Sequence, residues 1–336
     1  MNAIAEIAGT SLDAQTFRAN VVEACRPAVL RALCIEWPAY DAAREAPSRF
    51  ADYLRQFDIG KMAEAFRGES AIAGQYHYGG NPDGFNFDRQ SIGILDMVDK
   101  IAGMIGREDT PSLYMGSIPL DTHLPGFASD NPQKLLPDSI VPRIWMGSAS
   151  RIACHFDTMD NLACVVAGAR RFTLYPPEAI ADLYVGPIDH TLAGQPVSLA
   201  AASLPGDPRF PRFEAIREQA IVVELAAGDA LYLPKLWWHQ VEATAPFNVL
   251  VNYWWDAFAA GRDTPHTAML LSMITLAERP PHERSAWRAF FNHYVFRESG
   301  HPLAHLPREQ HGILGPLRPH NYGRIRTLVM RLLRDA

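Results

Sequence analysis

Two histidines and one aspartate are the residues of this sequence with the clearest capacity for chemistry: His155, Asp157 and His239. If residues 153–157 form a strand, side chains two positions apart point to the same face, so the first two would project together. Two histidines and one carboxylate form the facial triad that holds non-haem Fe(II) and leaves positions open for a co-substrate and O₂. A His-x-Asp triplet alone occurs by chance, and His239 alone could be a packed core histidine. The surrounding pattern must therefore decide.

The segment from Ile144 to Trp255 must position these residues, and its composition predicts short strands. Runs rich in Val, Leu, Tyr and Trp are separated by turn signals such as Gly168-Ala169 and Gly228-Asp229. Several short strands at this spacing favour a sandwich or barrel over β-α-β units. The predicted strands are Leu162–Val166, Phe172–Tyr175, Ile221–Leu225, Ala230–Leu233 and Val249–Tyr253.

The flanking segments are predicted to differ from this β region. Near the N-terminus, Leu12–Cys25 has helical spacing, with Ser11 as a possible N-cap. After Asp256 the sequence becomes helical. Thr267–Ala277 is apolar almost all round, which predicts a helix buried on more than one side.

Length and composition exclude several classes of protein. With 336 residues, two domains or one barrel with helical additions would both fit. A hydrophobic fraction of 48% with 20% charged residues excludes a disordered chain. The absence of an apolar run of about 18 residues excludes a membrane span. The N-terminus does not have the pattern of a signal peptide, and the four cysteines form no Cys-x-x-Cys pair. We therefore expect a cytoplasmic protein without disulfides.

Charge is distributed unevenly along the chain. Residues 279–336 contain ten arginines and four acids, which gives a net charge of +6. The whole chain carries −6, so residues 1–278 must carry −12. The arginines alternate with apolar residues at helical spacing, so we interpret them as a solvated helix face or a contact with the acidic body. Nucleic-acid binding, which needs a concentrated basic stripe, is not expected.

Five motifs recur in an order and spacing that resemble a known family. They are His155-Phe156-Asp157, Asn161, the run from Gly168 to Pro177, the run from Gly228 to His239, and Asn252-Tyr253-Trp254. The sequence resembles the JmjC-type, cupin-like 2-oxoglutarate oxygenases, specifically a bacterial-type member of the factor-inhibiting-HIF-like cupin branch. The segment from Arg26 to Ala39 also resembles that branch, so the resemblance covers about residues 26–256.

The resemblance implies a fold that is mainly β with helical additions, around a double-stranded β-helix of the jelly-roll or cupin kind. We expect an N-terminal α/β segment at 1–110 that packs on the core, the core itself at 111–256, and a C-terminal helical region at 257–336. The resemblance also implies Fe(II), with 2-oxoglutarate and O₂ as co-substrates.

The resemblance further implies roles for individual residues. The residues that match the family's iron ligands are His155, Asp157 and His239. Tyr114 looks like the tyrosine that hydrogen-bonds the far carboxylate of 2-oxoglutarate. Asn161 and Asn252 look like the pair that lines the co-substrate pocket, and Trp254 would face the same cavity.

Two positions depart from the family pattern. Where the family usually has a lysine that salt-bridges the co-substrate, this sequence has Arg170, which can grip a carboxylate bidentately but changes the depth of the pocket. Arg171 should point to the opposite face of the strand. Where the family often has a threonine, this sequence has Ile152, so one hydrogen bond is missing. These departures could mean a shifted 2-oxoglutarate pose, a different 2-oxo acid or a different anion.

The predicted function is that of a 2-oxoglutarate-dependent non-haem iron dioxygenase. It would hydroxylate a C–H bond of a protein or peptide side chain, or of an amino-acid-like small molecule, while 2-oxoglutarate becomes succinate and CO₂. Two alternatives stay open: a metal-binding cupin whose pocket is repurposed because of Arg170, and a non-catalytic binding protein that keeps the barrel. By resemblance, the C-terminal helices would form a homodimer through about residues 265–336. No membrane partner is expected.

Overall fold

A computed structural model describes residues 4–77, 84–189, 191, 194–317 and 321–334. The strands of these residues form two β-sheets, one of nine strands and one of five. Within these residues the strands are β1 Ala5–Ala8, β2 Ala28–Arg31, β3 Met62–Gly68, β4 Gln75–Tyr76, β5 Asp88–Gly93, β6 Ser112–Pro119, β7 Arg143–Gly147, β8 Ser150–His155, β9 Asp160–Ala167, β10 Ala169–Tyr175, β11 Ile221–Ala226, β12 Ala230–Leu233, β13 Trp238–Ala243 and β14 Asn248–Trp255. The α-helices are α1 Ala14–Phe17, α2 Pro38–Glu45, α3 Pro47–Arg55, α4 Ile94–Met104, α5 Leu120–His123, α6 Phe127–Asp130, α7 Phe213–Arg217, α8 Pro265–Leu276, α9 Pro281–Phe291 and α10 Tyr322–Arg334. In the described part of the chain, no helix is long and apolar enough to cross a membrane.

Eight consecutive strands, β7 to β14, are shared equally between the two sheets, and each step along the chain changes sheet except the step from β10 to β11. Strands β12, β9, β14 and β7 are neighbours in the large sheet, and β11, β10, β13 and β8 are neighbours in the small sheet. All pairings among these eight strands are antiparallel. This alternation is the winding of a jelly roll, and it confirms the predicted mainly β fold with a double-stranded β-helix core.

The N-terminal segment extends both edges of this core. Strands β1 and β2 continue the large sheet beyond β12, and β6, β3 and β5 continue it beyond β7, whereas β4 adds to β8 in the small sheet. The chain accordingly divides into two compact units, Met1–Trp255 and Asp256–Ala336. The finer division at residue 110 stays a prediction.

A hydrophobic core lies between the two sheets. It combines side chains of β9, β12 and β14 with side chains of β10 and β11. All eight residues of β9 are buried, because this strand has a strand on either side and is covered on both faces. The apolar runs that predicted the barrel strands are therefore the runs that fill its interior, and each predicted strand lies within an observed one.

The turn from β9 to β10 depends on Gly168. This residue has a φ of 76°, in the left-handed region that favours glycine. A Cβ at this position would lie 2.4 Å from Oδ1 of Asn248 and 2.5 Å from the carbonyl oxygen of Phe247. The turn sets the register in which β10 begins, and therefore which of its two consecutive arginines faces the interior.

Two expectations about helices need correction. The predicted helix Leu12–Cys25 is present over residues 14–22, as α1 followed by a π-helical segment at Arg18–Val22, but it is capped by Asp13 rather than Ser11. In the second unit, α8 contains no buried residue in the single chain, although it is apolar almost all round. An apolar helix surface can be recognised in the sequence, but the sequence does not say whether this chain or another one covers that surface.

Candidate metal centre and anion pocket

A cavity of about 150 Å³ is lined by side chains of both sheets. All eight residues predicted from the sequence lie in its wall: Tyr114, His155, Asp157, Asn161, Arg170, His239, Asn252 and Trp254. The structure thus brings together residues that are spread over 140 positions of the sequence. The wall carries two sets of polar side chains: a metal-binding cluster of two histidines and a carboxylate, and a set made of Arg170, Tyr114, Asn161 and Asn252, which is called the anion end below.

The two histidines meet across a pair of antiparallel strands. His155 on β8 is the register partner of His239 on β13, and their ring centroids are 4.3 Å apart. In each ring Nδ1 donates to a backbone carbonyl two residues earlier, at 2.8 Å to Ala153 and at 2.9 Å to Trp237. Because a carbonyl can only accept, these bonds place the ring proton on Nδ1 and leave the Nε2 lone pair free to bind a metal.

The carboxylate of the predicted triad lies just outside the strand. β8 ends at His155, so the expectation that the strand continues to residue 157 is wrong, although both side chains reach the same cavity. The loop is held by its backbone, because the carbonyl oxygen of Asp157 accepts from the amide N–H of Leu236 at 2.8 Å. The side-chain Oδ2 accepts from Nε1 of Trp254 at 3.2 Å. The carboxylate therefore has a fixed orientation.

These three side chains form a donor set for a divalent metal ion. Their ligand atoms all lie within 4.8 Å of one another, and Nε2 of His239 lies 3.8 Å from Oδ2 of Asp157. Burial, reinforced by the neighbouring His155, lowers the pKa of His239 to about 4 against the opposing effect of Asp157. His239 is therefore neutral at pH 7, the form that binds metals. Two imidazoles and one carboxylate fit a non-haem Fe(II) centre with open positions.

Arg170 lies in the wall of the same cavity and is only 4% exposed. Its Nε has no hydrogen-bond partner among the described residues. Burial lowers the pKa of its guanidinium to about 10, and the opposing influence comes from Tyr114 rather than from a carboxylate. Arg171, by contrast, points outward and pairs with Glu224 at 2.5 Å. Strand alternation therefore selects Arg170 as the buried cation, as the sequence predicted.

A short chain of hydrogen bonds orients two amides in the same cavity wall. Nε1 of Trp145 donates to Oδ1 of Asn252 at 2.6 Å, and Nδ2 of Asn252 donates to Oδ1 of Asn161 at 3.0 Å. Because the indole N–H can only donate, the first bond fixes which end of each amide is the acceptor. The NH₂ group of Asn161 therefore remains as a donor on the cavity side.

Tyr114 adds a third donor to this end of the cavity. Burial raises the pKa of Tyr114, partly opposed by the positive charge of Arg170. The phenol is therefore protonated at pH 7 and able to donate. Arginine, amide and phenol together make an end that offers hydrogen-bond donors and one positive charge. Such an end is complementary to a carboxylate.

Sequence reasoning missed several residues of the wall. Trp145 on β7 holds the amide pair through its bond to Asn252 on the neighbouring strand β14, and this contact depends on strand pairing that the sequence does not indicate. Gln195 lies in the long connection between β10 and β11, where no periodicity gives a signal. The remaining wall is a packed aromatic cluster that includes Phe66, Tyr76 and Phe87. Ile152, at the position of the expected family threonine, also lines the cavity.

A double-stranded β-helix with this histidine–aspartate–histidine cluster inside it defines a cupin with a facial-triad site. The sequence profile of the cupin-like domain family matches residues 14–261. The chain belongs to this family and to its JmjC-type members, which confirms the resemblance found in the sequence; the bacterial type stays a prediction.

Three relatives match only part of this chain in sequence. A protein named lysine-specific demethylase JMJ31, from Arabidopsis thaliana, is 37% identical over 114 residues, which are 34% of this chain and 20% of that protein. HSPB1-associated protein 1 from Bos taurus is 29% identical over 53% of this chain and 42% of its own. Human bifunctional peptidase and (3S)-lysyl hydroxylase JMJD7 is 30% identical over 41% of this chain and 47% of its own. The matches thus span a fifth to just under half of these relatives.

Proposed function

We propose that this protein is an Fe(II)- and 2-oxoglutarate-dependent dioxygenase that hydroxylates a C–H bond. The observation that carries the proposal is the pairing, in one cavity, of a facial-triad donor set with a buried arginine whose Nε has no partner among the described residues. An uncompensated buried cation is costly, and a carboxylate ligand would remove that cost. A 2-oxo acid with a second carboxylate presents groups for both ends of such a cavity.

Each end of the cavity has a distinct task in this proposal. His155, Asp157 and His239 would hold Fe(II), which with O₂ and 2-oxoglutarate supplies the oxidant for the C–H bond. The overall reaction inserts one oxygen atom into that bond and leaves the other in succinate, with release of CO₂. Arg170 would bind the far carboxylate of 2-oxoglutarate bidentately, and Tyr114 would donate a further hydrogen bond.

The substrate that we propose is a protein or peptide side chain, or an amino-acid-like small molecule. Ligand pockets commonly measure about 300–1,000 Å³, and this cavity measures about 150 Å³. The co-substrate would occupy much of that space, which favours a substrate that inserts a single side chain. The names of two relatives, a lysine-specific demethylase and a lysyl hydroxylase, also favour protein side chains.

The direct test is succinate formation without any added substrate. Protein reconstituted anaerobically with Fe(II) is given 2-oxoglutarate and then O₂, and succinate is measured against a His155→Ala control. Several-fold more succinate than the control supports the proposal. If 2-oxoglutarate neither perturbs the spectrum of the bound metal nor yields succinate, the proposal fails.

A second candidate is favoured by the departures at Arg170 and Ile152. In that case the cavity is a metal-binding cupin site whose anion end accepts a ligand other than 2-oxoglutarate. A panel of 2-oxo acids and dicarboxylates, added to the Mn(II)-loaded protein in a calorimeter, separates the two candidates. Preference for 2-oxoglutarate supports the dioxygenase, and preference for another anion supports the repurposed pocket.

We also propose that the second unit forms a homodimer. Helix α8 exposes a set of large apolar side chains: Met269, Leu270, Met273 and Ile274. Ile274 is 83% exposed, and an apolar patch of this kind is typical of an interface. Light scattering at micromolar concentration should give twice the mass of the chain, and Ile274→Glu should give the monomer. The control Val222→Glu, on an exposed position of β11, should stay dimeric; a monomeric wild type would refute the proposal.

A further inference from the structure

Two tryptophans cross in the wall of the cavity, and their N–H groups donate to two different polar side chains. The rings of Trp145 and Trp254 lie edge to face, with centroids 5.6 Å apart and planes at 87°. Nε1 of Trp254 donates to Oδ2 of Asp157 at 3.2 Å, in the metal-binding cluster. Nε1 of Trp145 donates to Oδ1 of Asn252 at 2.6 Å, in the anion end. The pair therefore contacts both functional halves of the site.

The bond from Trp254 restrains a side chain that the backbone alone leaves free to rotate. Asp157 follows the end of β8, so no strand pairing fixes its carboxylate as the β8–β13 ladder fixes His155. An indole N–H has a single direction, set by a large ring that is packed against Trp145. Trp254 can therefore set the rotation of the carboxylate before a metal ion arrives.

Arg143 in turn holds the ring of Trp254. The carbon of its guanidinium lies 5.9 Å from the centroid of that ring, within the range of a cation–π contact. Its Nε donates to Oγ of Ser117 at 2.6 Å, and its Nη2 donates to the carbonyl oxygen of Ser117 at 2.7 Å. Ser117 lies where the register between β6 and β7 shifts, with a φ of 60°. A local irregularity of β6 thus anchors the arginine that covers Trp254.

We propose that Trp254, clamped by Arg143, is a positioning residue for the metal-binding carboxylate of Asp157, and that Trp145 positions the amide pair of the anion end. The inference rests on the proposed function in two ways: for Trp254, that Asp157 binds a divalent metal ion, and for Trp145, that the anion end binds 2-oxoglutarate. It assigns Trp254 to the metal half of the site, whereas the sequence placed this residue with the co-substrate.

The test compares three Trp→Phe variants, each of which keeps a ring and loses an N–H. Calorimetry measures the affinity for Mn(II) without any 2-oxo acid, and thermal unfolding confirms that each variant is folded. Removal of an outer partner of a metal ligand lowers metal affinity by about 10- to 100-fold, so Trp254→Phe should weaken Mn(II) binding by about tenfold or more. Trp145→Phe should stay within about twofold of the wild type. The control is Trp255→Phe, because Trp255 packs against Phe17 and Tyr232.

The anion half gives the converse measurement. Each variant is saturated with Mn(II) and titrated with 2-oxoglutarate. A typical hydrogen bond contributes enough for about a three- to tenfold change in affinity. Trp145→Phe should lose about that much, and Trp254→Phe should change by less than about twofold. If Trp254→Phe leaves Mn(II) affinity unchanged, or if both variants weaken both ligands equally, the assignment is wrong.

Substitution of Arg143 should change the Mn(II) affinity in opposite directions, depending on whether Arg143 positions Trp254 or acts only through its charge. Removing a nearby positive charge would strengthen binding of a divalent cation if only Coulomb interactions mattered. If Arg143 acts by clamping Trp254, Arg143→Ala should weaken Mn(II) binding instead, and Arg143→Lys, which keeps the charge but loses the planar fork, should weaken it too. Unchanged or tighter binding overturns the clamp.

The outcomes for this inference and for the proposed function are distinguishable. A wild type that binds Mn(II) through the triad but neither binds 2-oxoglutarate nor makes succinate refutes the dioxygenase and the role of Trp145, and it leaves the Mn(II) measurements on Trp254 and Arg143 valid. A wild type that does not bind Mn(II) overturns both.

Discussion

Replacing Arg170 with methionine should stabilise the ligand-free protein while it abolishes dicarboxylate binding. Burial lowers the pKa of this guanidinium from 12.5 to about 10. At about 1.4 kcal/mol for each pKa unit, the charged form is disfavoured by about 3 kcal/mol. Because the folded-state pKa lies below that of the unfolded chain, this cost is fully present below about pH 10 and is lost only as the pH rises through that value. At pH 7 the wild-type protein therefore carries all of it.

Arg170→Met removes the charge, and the flexible methionine can fill much of the same space. The free energy of unfolding of the ligand-free protein should rise by about 1–3 kcal/mol, because imperfect packing offsets part of the gain. For a domain of this size, about 2–4 °C in Tm corresponds to each kcal/mol. Differential scanning calorimetry at pH 7 measures this shift. The matched control Arg171→Met, at the exposed neighbour, should not raise the Tm.

The same substitution should remove most of the affinity for 2-oxoglutarate. A buried carboxylate that loses its cationic partner costs about 3–5 kcal/mol, which corresponds to at least about a 100-fold loss of affinity. Arg170→Lys keeps the charge without the fork and should lie between the two. If Arg170→Met lowers the Tm by several degrees, or binds 2-oxoglutarate within about threefold of the wild type, the assignment of Arg170 as an uncompensated anion-binding cation is refuted.

Three further predictions concern the residues that support the site. Burial lowers the pKa of His239 to about 4. The free energy of unfolding of the ligand-free protein should therefore fall by up to about 3 kcal/mol as the pH falls from about 6.5 to 4. Urea unfolding of His239→Gln should show less of this loss, and a pH profile identical to that of the wild type would contradict the prediction. Asp160 is 1% exposed and pairs with Lys235 at 3.3 Å. Lys235→Met should therefore lower the free energy of unfolding by about 3 kcal/mol. A change below about 1 kcal/mol in the same assay would show that the ion pair is not needed for stability. Gly168→Ala, which would place a Cβ against Asn248, should cost at least about 1–2 kcal/mol by chemical denaturation; a neutral result would mean that the turn relaxes freely.

Much of the site could be predicted because strand alternation is a local property. Side chains two residues apart share a face of a strand, so the sequence alone indicated that Asn252 and Trp254 face one cavity and that Arg170 and Arg171 face opposite ways. The apolar runs likewise predicted the barrel strands. The apolar character of α8 was equally clear, but it could not show that the helix stays exposed in the single chain.

The tertiary structure decided which distant residues meet and which atoms they offer one another. His155 faces His239 only because hydrogen bonds between β8 and β13 set their register, and such non-local pairing leaves no period in the sequence. The bonds from Trp145 to Asn252 and from Trp254 to Asp157 likewise join different strands and loops. The sequence by itself therefore determined the chemical types of the site residues and the faces they share. Their partners, proton positions and orientations depended on the packing of two sheets against each other.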